Sequence, residues 1–196
     1  MSHSYGIDTS NNNGGVDITR LSPLPGFVLA KASEGTNFED QDYGHYAAMA
    51  EDIGAHFGAY HFFHAEKLNA RAQAEFFCKC ANPRSMLSLW LDYEIYGVNG
   101  ATDAQEIGFF ISYVKVLFPL AKVGIYCNET GYTRIVPYLS EIPFNGLWYA
   151  NPSIPAAQQG PDIFWQIHQF GTANNVDQDY STWTTSQMQA YWKWQA

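Results

Sequence analysis

Two carboxylates at the end of one apolar segment are the residues of this sequence best suited to chemistry. The segment Ser88–Glu94 reads S-L-W-L-D-Y-E, which places Asp92 and Glu94 two residues apart. In an extended strand such side chains share a face, with Cα atoms roughly 6.6 Å apart. Like charges this close resist joint ionisation, which tends to keep one proton on the pair near neutral pH. A proton donor beside a carboxylate is what glycoside hydrolysis requires.

An isolated D-x-E pattern is more often a solvated strand end than a catalytic pair, since short motifs match by chance. The rest of the chain must therefore show whether further polar groups meet this pair. Apolar runs typical of strands alternate with segments of helical periodicity. The predicted strands are Tyr5–Thr9, Phe27–Ala32, Phe57–Phe63, Met86–Glu94, Lys122–Cys127, Leu147–Asn151, Ile163–Phe170 and Val176–Asp177.

Helices are predicted after each of the second to fifth strands and at the end of the chain. Their clearest parts are Gln41–Asp52, the stripe from Ala70 to Cys78, and the face from Ile107 to Phe118. Asn128 is a candidate cap for a further helix, and a last helix is predicted from about Thr185 to Trp194. A capping-box pattern at Thr102 and Gln105 suggests where the long helix begins.

Repeated β-α units predict a parallel sheet with helices outside it, and about eight strands in one short domain predict a barrel. The active site of such a barrel lies at the carboxyl ends of the strands. Polar residues stand there in this sequence: Asp8, Glu34, His61, His64, Asp92, Glu94, Tyr126, Asn128, Asn151, Gln166, His168 and Asp177. Little helix is predicted between the last strands, so the barrel is expected to be incomplete.

Composition excludes several classes of function. The 196 residues suit a single domain over 1–196, and the net charge of −9 with only ten Lys and Arg argues against a nucleic-acid partner. No apolar stretch reaches the roughly 20 residues of a membrane helix, so no membrane insertion is expected. The first residues do not resemble a signal peptide. A monomer is expected.

No metal and no cofactor are expected either. Three cysteines offer neither a disulfide framework nor a four-ligand zinc pattern. His61 and His64 have no Cys or carboxylate at metal-ligand spacing, so hydrogen-bonded structural roles are favoured. Four aromatic residues near predicted strand ends could line a sugar groove or pack the barrel: Tyr60, Tyr126, Trp148 and Trp165.

The order of these segments resembles the glycoside hydrolase family 25 lysozymes, the Chalaropsis-type muramidases found among phage endolysins. The opening Gly6–Ser10 is similar to the family's G-I-D-x-S, and Leu91–Glu94 contains its fourth-strand D-x-E. Asn175–Asp179 resembles its closing V-D-x-N/D. Further similar segments are Phe27–Thr36, Gly58–Phe62, Gly124–Tyr126, Leu147–Ala150 and Trp165–Ile167. The family often has an aromatic residue and a Gln after the opening motif, where this chain has Asn12 and Asn13.

The resemblance implies a TIM-like incomplete (β/α)5(β)3 barrel that hydrolyses the β-1,4 bond from N-acetylmuramic acid to N-acetylglucosamine in bacterial peptidoglycan. By match of position, Glu94 would be the general acid and Asp92 would assist at the reacting sugar, with Asp8 and Asp177 completing the acidic cluster. Tyr60, Tyr126, Trp148, Trp165, Gln166 and Asn151 are the expected substrate-binding residues. The expected place of action is the cell wall, reached through a phage lysis pore or on a virion.

Two other functions remain open at this point. A chitinase-like hydrolase also uses a strand-four D-x-E, but the longer D-x-x-D-x-D-x-E pattern is absent because Ser85–Ser88 stands where its first acids would fall. A carbohydrate-binding barrel that lost catalysis is disfavoured because all four acids are present. Cleavage assays on cell walls and on chitin would separate these functions.

Overall fold

The protein folds as an eight-stranded barrel with helices around it. The computed structural model describes residues 4–82, 88–154 and 166–193. The strands are β1 (Ser4–Thr9), β2 (Phe27–Glu34), β3 (Phe38–Glu39), β4 (His56–His64), β5 (Ser88–Ile95), β6 (Val123–Asn128), β7 (Leu147–Ala150), β8 (Ile167–Ala173) and β9 (Val176–Ser181). The helices are α1 (Tyr43–Asp52), α2 (Ala70–Ala81), α3 (Gly100–Leu117), α4 (Glu129–Ile135) and α5 (Thr185–Trp192).

Seven strands of the ring run parallel and one runs against them. The hydrogen-bonded order is β1, β2, β4, β5, β6, β7, β8, β9, and β9 returns antiparallel to both β8 and β1, which closes the ring. The short β3 pairs antiparallel with the end of β2. This arrangement confirms the predicted α/β barrel with missing last helices, because β8 leads directly into β9.

The turn between β8 and β9 explains how the last strand reverses so sharply. Asn174 and Asn175 both have positive φ, 55° and 63°, the conformation of a two-residue hairpin turn and one that Asn tolerates well. The same turn is tied to the loop after β1. Asn175 donates to the carbonyl oxygen of Asn13, and Asn13 donates to that of Asn175, both at 2.7 Å. Two loops distant in sequence therefore form one rim of the barrel.

Large side chains fill the barrel interior because small residues face them. A Cβ atom at Gly124 would lie 2.2 Å from the ring of Trp90, and one at Gly6 would lie 2.3 Å from the ring of Phe27. At the amino-terminal end of the ring, Met188 and Trp192 of α5 pack into the same interior cluster. Side chains therefore fill the barrel interior, and α5 closes its amino-terminal end.

The outer faces of the strands pack against the helices in two further clusters. One lies under α2, α3 and α4 and includes Phe63, Phe77 and Phe110. The other lies between α1 and the first two strands and includes Ile7 and Tyr46. Among the described residues, no helix has the length and apolar character needed to cross a membrane.

Besides the end of β9, which lies at Ser181 instead of Asp177, two sequence-based boundaries were wrong. The long helix α3 is capped by Asn99, whose side chain accepts from the Thr102 amide, and Thr102 itself lies inside the helix. The strand predicted over Ile163–Phe170 begins at Ile167 in the described residues and continues to Ala173. This second difference matters for the site, because it moves the carboxyl end of β8 three residues along the chain.

Candidate active site

A narrow acidic cleft opens at the carboxyl ends of the parallel strands, as the barrel rule predicts. Its volume is about 210 Å³. The lining residues come from all eight strands of the ring and the loop after β1: Asp8, Ser10, Asn12, Asn13, Lys31, Tyr60, Phe62, Asp92, Glu94, Tyr126, Trp148, Gln169 and Asp177. A larger cavity of about 700 Å³ lies elsewhere, beside α1 and the start of β4, and it contains none of these acids. The chemistry therefore points to the smaller cleft.

Because side chains alternate along β5, Asp92 and Glu94 point into this cleft, whereas Tyr93 points away from the barrel interior, toward the surrounding helices. Tyr93 is fully buried there, and its hydroxyl donates to Asp103 Oδ2 at 2.5 Å. Arg134 donates from Nη2 to the same oxygen at 2.8 Å and from Nε to the Tyr93 hydroxyl at 3.2 Å. Tyr93, the residue between the two acids, is thus held by hydrogen bonds on the side of β5 that faces away from the cleft.

The two acids of β5 differ in burial. Asp92 is only 6 % exposed, and its Oδ1 has no hydrogen-bond partner among the described residues. Burial, followed by the charges of Glu94 and Asp8, raises the Asp92 pKa well above its ordinary value. Glu94 is partly exposed to the cleft; burial and the charge of Asp177 raise its pKa, while the neighbouring Tyr126 hydroxyl and the charge of Lys31 lower it. Both groups therefore resist ionisation, and Asp92 is the more buried.

Asp8 and Asp177 meet this pair from the opposite side of the cleft. They face each other across the antiparallel β1–β9 pair, where their Cα atoms are direct partners. Burial first, and the charge of Asp177 second, raise the pKa of Asp8 to about 8, while a hydrogen bond from Gln169 opposes the shift. Asp177 accepts a hydrogen bond from Thr172 at 2.5 Å. All four acids predicted from the sequence thus line one cleft.

Three of the predicted aromatic residues form the floor of the cleft. The ring of Trp148 packs edge-on against Tyr60 at 5.9 Å and Tyr126 at 4.5 Å between centroids. Trp148 is only 2 % exposed, and its Nε1 donates to Asp179 at 2.8 Å. Most of the surface of these rings is buried in the barrel, and only their edges are exposed to the cleft. A sugar can therefore contact the ring edges but cannot stack on the face of Trp148.

The structure does not bring two of the other predicted contacts, Gln166 and Asn151, into the cleft. Gln166 lies at the amino-terminal end of the barrel, where it precedes β8 and its side chain accepts from the Leu147 amide. Asn151 follows β7 at the correct end, but its side chain bonds to Ser153 and the Tyr149 hydroxyl, away from the cleft. The placement of Gln166 is wrong because the boundary of β8 was set too early. Trp165 lies outside the described residues.

Gln169 occupies the position that the sequence reasoning gave to Gln166. It donates to Asp8 Oδ2 at 2.7 Å and accepts from the Tyr126 hydroxyl at 2.8 Å. An amide has one donor group and one acceptor oxygen, so these two bonds fix its orientation. The signal available in the sequence was the polar residue Gln169, three positions after Gln166. A correct boundary for β8 would have placed Gln169 near the carboxyl end of the strand.

Lys31 is a second residue that the sequence reasoning missed as part of the cleft. Its ammonium group lies 2.5 Å from Glu34 Oε2 and over the Phe62 ring, 4.6 Å from its centroid. The other oxygen of Glu34 lies 3.2 Å from His64 Nε2. A charged residue inside an otherwise apolar buried strand was the available signal, because such a residue needs a partner.

The described residues contain no cluster of three or more His, Cys, Asp or Glu side chains arranged to hold a metal ion. His61 is fully buried, and its ring nitrogens lie 2.8 Å from Ser33 Oγ and 3.2 Å from Gln73 Oε1. Burial lowers the His61 pKa to about 3, which keeps the ring neutral. His61 therefore has the structural role favoured from the sequence.

Solved structures with the same architecture are lysozymes and muramidases. A bacterial lysozyme from Streptomyces coelicolor superposes with a TM-score of 0.83 at 21 % identity, covering 98 % of each chain. The muramidase from Acremonium alcalophilum gives 0.83 at 21 %, covering 95 % of this chain and 97 % of that one. The catalytic domain of endolysin ply40 from Listeria monocytogenes bacteriophage P40 gives 0.73 at 19 %, covering 96 % and 98 %. At these identities the likeness concerns the fold.

The family assignment comes from the sequence itself. No curated protein matches the chain. The sequence model described as glycosyl hydrolases family 25 matches residues 7–179, a range that includes every acid of the cleft. Since that match covers most of the chain, and the barrel and its acidic cleft agree with it, this protein belongs to glycosyl hydrolases family 25 and is a glycoside hydrolase.

Proposed function

We propose that this enzyme is a muramidase that cleaves the β-1,4 bond between N-acetylmuramic acid and N-acetylglucosamine in bacterial peptidoglycan. The family match supports glycoside hydrolysis, and the related structures bear the names lysozyme, muramidase and endolysin. The observation that carries the proposal is the pair Asp92 and Glu94, side by side in a cleft that Asp8 and Asp177 complete. The expected partner is therefore the cell wall, and the wall is the expected place of action.

Glu94 is the proposed general acid. It lies at the cleft surface, and burial raises its pKa, which favours the protonated form that a general acid needs. A bound sugar chain would exclude water from Glu94 and so strengthen the same effect. The proton passes to the glycosidic oxygen as its bond to the sugar C1 breaks, and Glu94 is left as the carboxylate.

Asp92 is proposed to assist at the sugar whose bond is broken. Its Oδ1 is buried without a partner, so it can accept the N–H of an N-acetyl group without breaking an existing bond. In that role Asp92 would hold the acetamido group while the oxygen of the acetamido group attacks C1. The other role consistent with the cleft is activation of water. The two roles predict different stereochemistry at C1, which NMR analysis of the first-formed product resolves.

Glu94→Gln is the direct test, since it removes the proton and keeps nearly the same volume. Loss of general acid catalysis is expected to lower the rate of peptidoglycan cleavage by about 10²- to 10⁴-fold, with the melting temperature unchanged. Glu75→Gln is the matched control, because Glu75 lies in an exposed pair with Arg71 on α2. Turnover of Glu94→Gln close to that of the control would exclude Glu94 as the acid.

The substrate is tested with the wild-type enzyme on purified peptidoglycan and on chitin. Mass analysis of reduced fragments is expected to show N-acetylmuramic acid at the new reducing ends. Cleavage of chitin at a comparable rate would favour the chitinase-like alternative. Binding to walls without any new reducing end would favour the non-catalytic barrel.

Release through a phage lysis pore remains part of the proposal. It predicts that expression of the chain in the cytoplasm of a susceptible bacterium leaves the cells intact until a pore-forming protein is co-expressed. Lysis without the pore-forming protein would contradict this route.

Carriage on a virion predicts that the protein is recovered with purified particles. Size-exclusion chromatography tests the expected monomer.

A further inference from the structure

A fifth carboxyl group lies directly behind Asp8, outside the lining of the cleft. Asp179 is fully buried on β9, and its Cα is the direct partner of Gly6 on β1 and of Gln169 on β8. Asp8 stands two residues after Gly6 on the same face of β1, so the two carboxyl groups are diagonal neighbours across the strand pair. None of the roles proposed above uses Asp179.

The hydrogen bonds of Asp179 require a proton on one of the two carboxyl groups. Its Oδ1 accepts from Trp148 Nε1 at 2.8 Å, while its buried Oδ2 has no N–H or O–H donor among the described residues. The carboxyl group of Asp8 is close enough that a hydrogen bond between the two acids lowers the pKa of Asp8 and raises the pKa of Asp179. Two ionised carboxylates have only acceptor oxygens, so this contact forms only when one of them is protonated.

The surroundings indicate which of the two acids holds that proton. Asp8 accepts an N–H from Gln169 at 2.7 Å, and the Gln169 amide is itself oriented by Tyr126. This donor stabilises the charged form of Asp8, which also borders the cleft. Asp179 has no exposure at all, and burial followed by the charge of Asp8 raises its pKa well above the ordinary value.

We propose that Asp179 is a positioning residue that keeps its carboxyl proton and donates it to Asp8, holding the Asp8 carboxyl group at the wall of the cleft. The titratable groups around it are Asp8 and Tyr5 on β1, Asp177 on its own strand and Tyr126 on β6. An additional negative charge on Asp179 would be opposed by both aspartates. The pair therefore behaves as one acid with one retained proton.

Two substitutions of Asp179 distinguish a protonated carboxyl group that donates to Asp8 from an ionised carboxylate. In Asp179→Asn the side-chain amide can still donate to Asp8, so the titration midpoint of Asp8 is expected to stay where it is. In Asp179→Leu the donor is lost, and the midpoint of Asp8 is expected to rise. If Asp179 were ionised in the wild type, both substitutions would remove a negative charge and lower that midpoint, which would overturn the proposal.

The midpoint is measured by following the side-chain carboxyl carbon of Asp8 by ¹³C NMR, with Asp8→Asn used to assign the resonance. Infrared spectroscopy gives an independent reading that needs no apolar variant. The wild type at neutral pH is expected to show the C=O stretch of a buried protonated carboxyl group that is lost in Asp179→Asn. Identical carboxyl bands in the two proteins would overturn the proposal even if Asp179→Leu fails to fold.

The effect on turnover rests on the proposed muramidase function. Asp179→Asn is expected to keep kcat on peptidoglycan within about threefold, whereas Asp179→Leu is expected to lose about 10- to 100-fold in kcat with little change in KM, because a displaced group beside the reacting sugar is costly. Full activity of a folded Asp179→Leu would exclude a positioning role. If the wild type itself fails to cleave peptidoglycan, the proposed function fails while the NMR and infrared tests still decide the protonation of Asp179.

Discussion

The hydrogen-bond network behind the acid pair offers a prediction that links stability to the active site. Asp103 is fully buried at the start of α3 and accepts hydrogen bonds from the Tyr93 hydroxyl, the Gly97 amide and the Arg134 guanidinium. Tyr93 lies between Asp92 and Glu94 in the chain. The network therefore ties the end of β5 to two helices, and its loss is expected to loosen the strand that carries the acids.

The size of the effect follows from the bonds that Asp103→Asn would break. The new side chain keeps one oxygen for the Gly97 amide at 2.9 Å, but it turns an NH₂ group toward the Arg134 guanidinium, which has only donors, and toward the Tyr93 hydroxyl, which donates to Asp103 in the wild type. Breaking a buried charge pair in this way costs about 3–5 kcal/mol. For a domain of this length that loss lowers the melting temperature by roughly 10 °C.

Urea unfolding and calorimetry of Asp103→Asn measure this effect. Asp17→Asn is the matched control, because it removes the charge of an Asp that also pairs with an Arg, at 3.0 Å, but on the surface. The control is expected to leave stability nearly unchanged, because an exposed ion pair is screened by water. Equal stabilities of the two variants would refute the reasoning. Turnover measured well below the melting temperature is expected to fall in Asp103→Asn and to be unchanged in Asp17→Asn.

Three further substitutions test other parts of the structure. Trp192→Ala removes the buried plug of the barrel and is expected to cost about 3–5 kcal/mol in urea unfolding. Lys31→Met removes a charge that lowers the pKa of Glu94, so the alkaline limb of the kcat/KM profile is expected to move to higher pH. The folded-state pKa of Asp8 is raised to about 8, so its stabilising contribution is complete at low pH and is lost as the pH rises toward 8. Asp8→Asn should therefore gain stability over the wild type at pH 8 relative to pH 4, as measured by urea unfolding at both values.

The sequence was most informative where a local pattern determines a local structure. The alternation of β5 correctly predicted that Asp92 and Glu94 share a face, and the apolar runs located the strands of the barrel. The barrel rule then correctly brought Asp8 and Asp177 to the same cleft, although 169 residues separate them in the chain. Asn128 was also correctly predicted to cap a helix, since its side chain accepts from the Gly131 amide.

The sequence was least informative where a role depends on a distant partner or on a strand boundary. Nothing local to Asp179 shows that it lies behind Asp8, because that contact follows from the antiparallel return of β9. The error at Gln166 was an error of boundary, and it concealed Gln169. Lys31 was overlooked because its partner Glu34 lies beyond a register shift in β2, so that simple alternation does not predict their contact.

The antiparallel return of the last strand also determines when the enzyme can become active during synthesis. β9 carries Asp177 and Asp179, and it is the neighbour that β1 lacks until residues 176–181 have been made. Before that moment a nascent chain exposes the open edges of β1 and β8, where unpaired backbone groups can recruit other chains. A polypeptide cut short before residue 176 would therefore lack Asp177 and the strand that closes the ring, and it would be prone to aggregate.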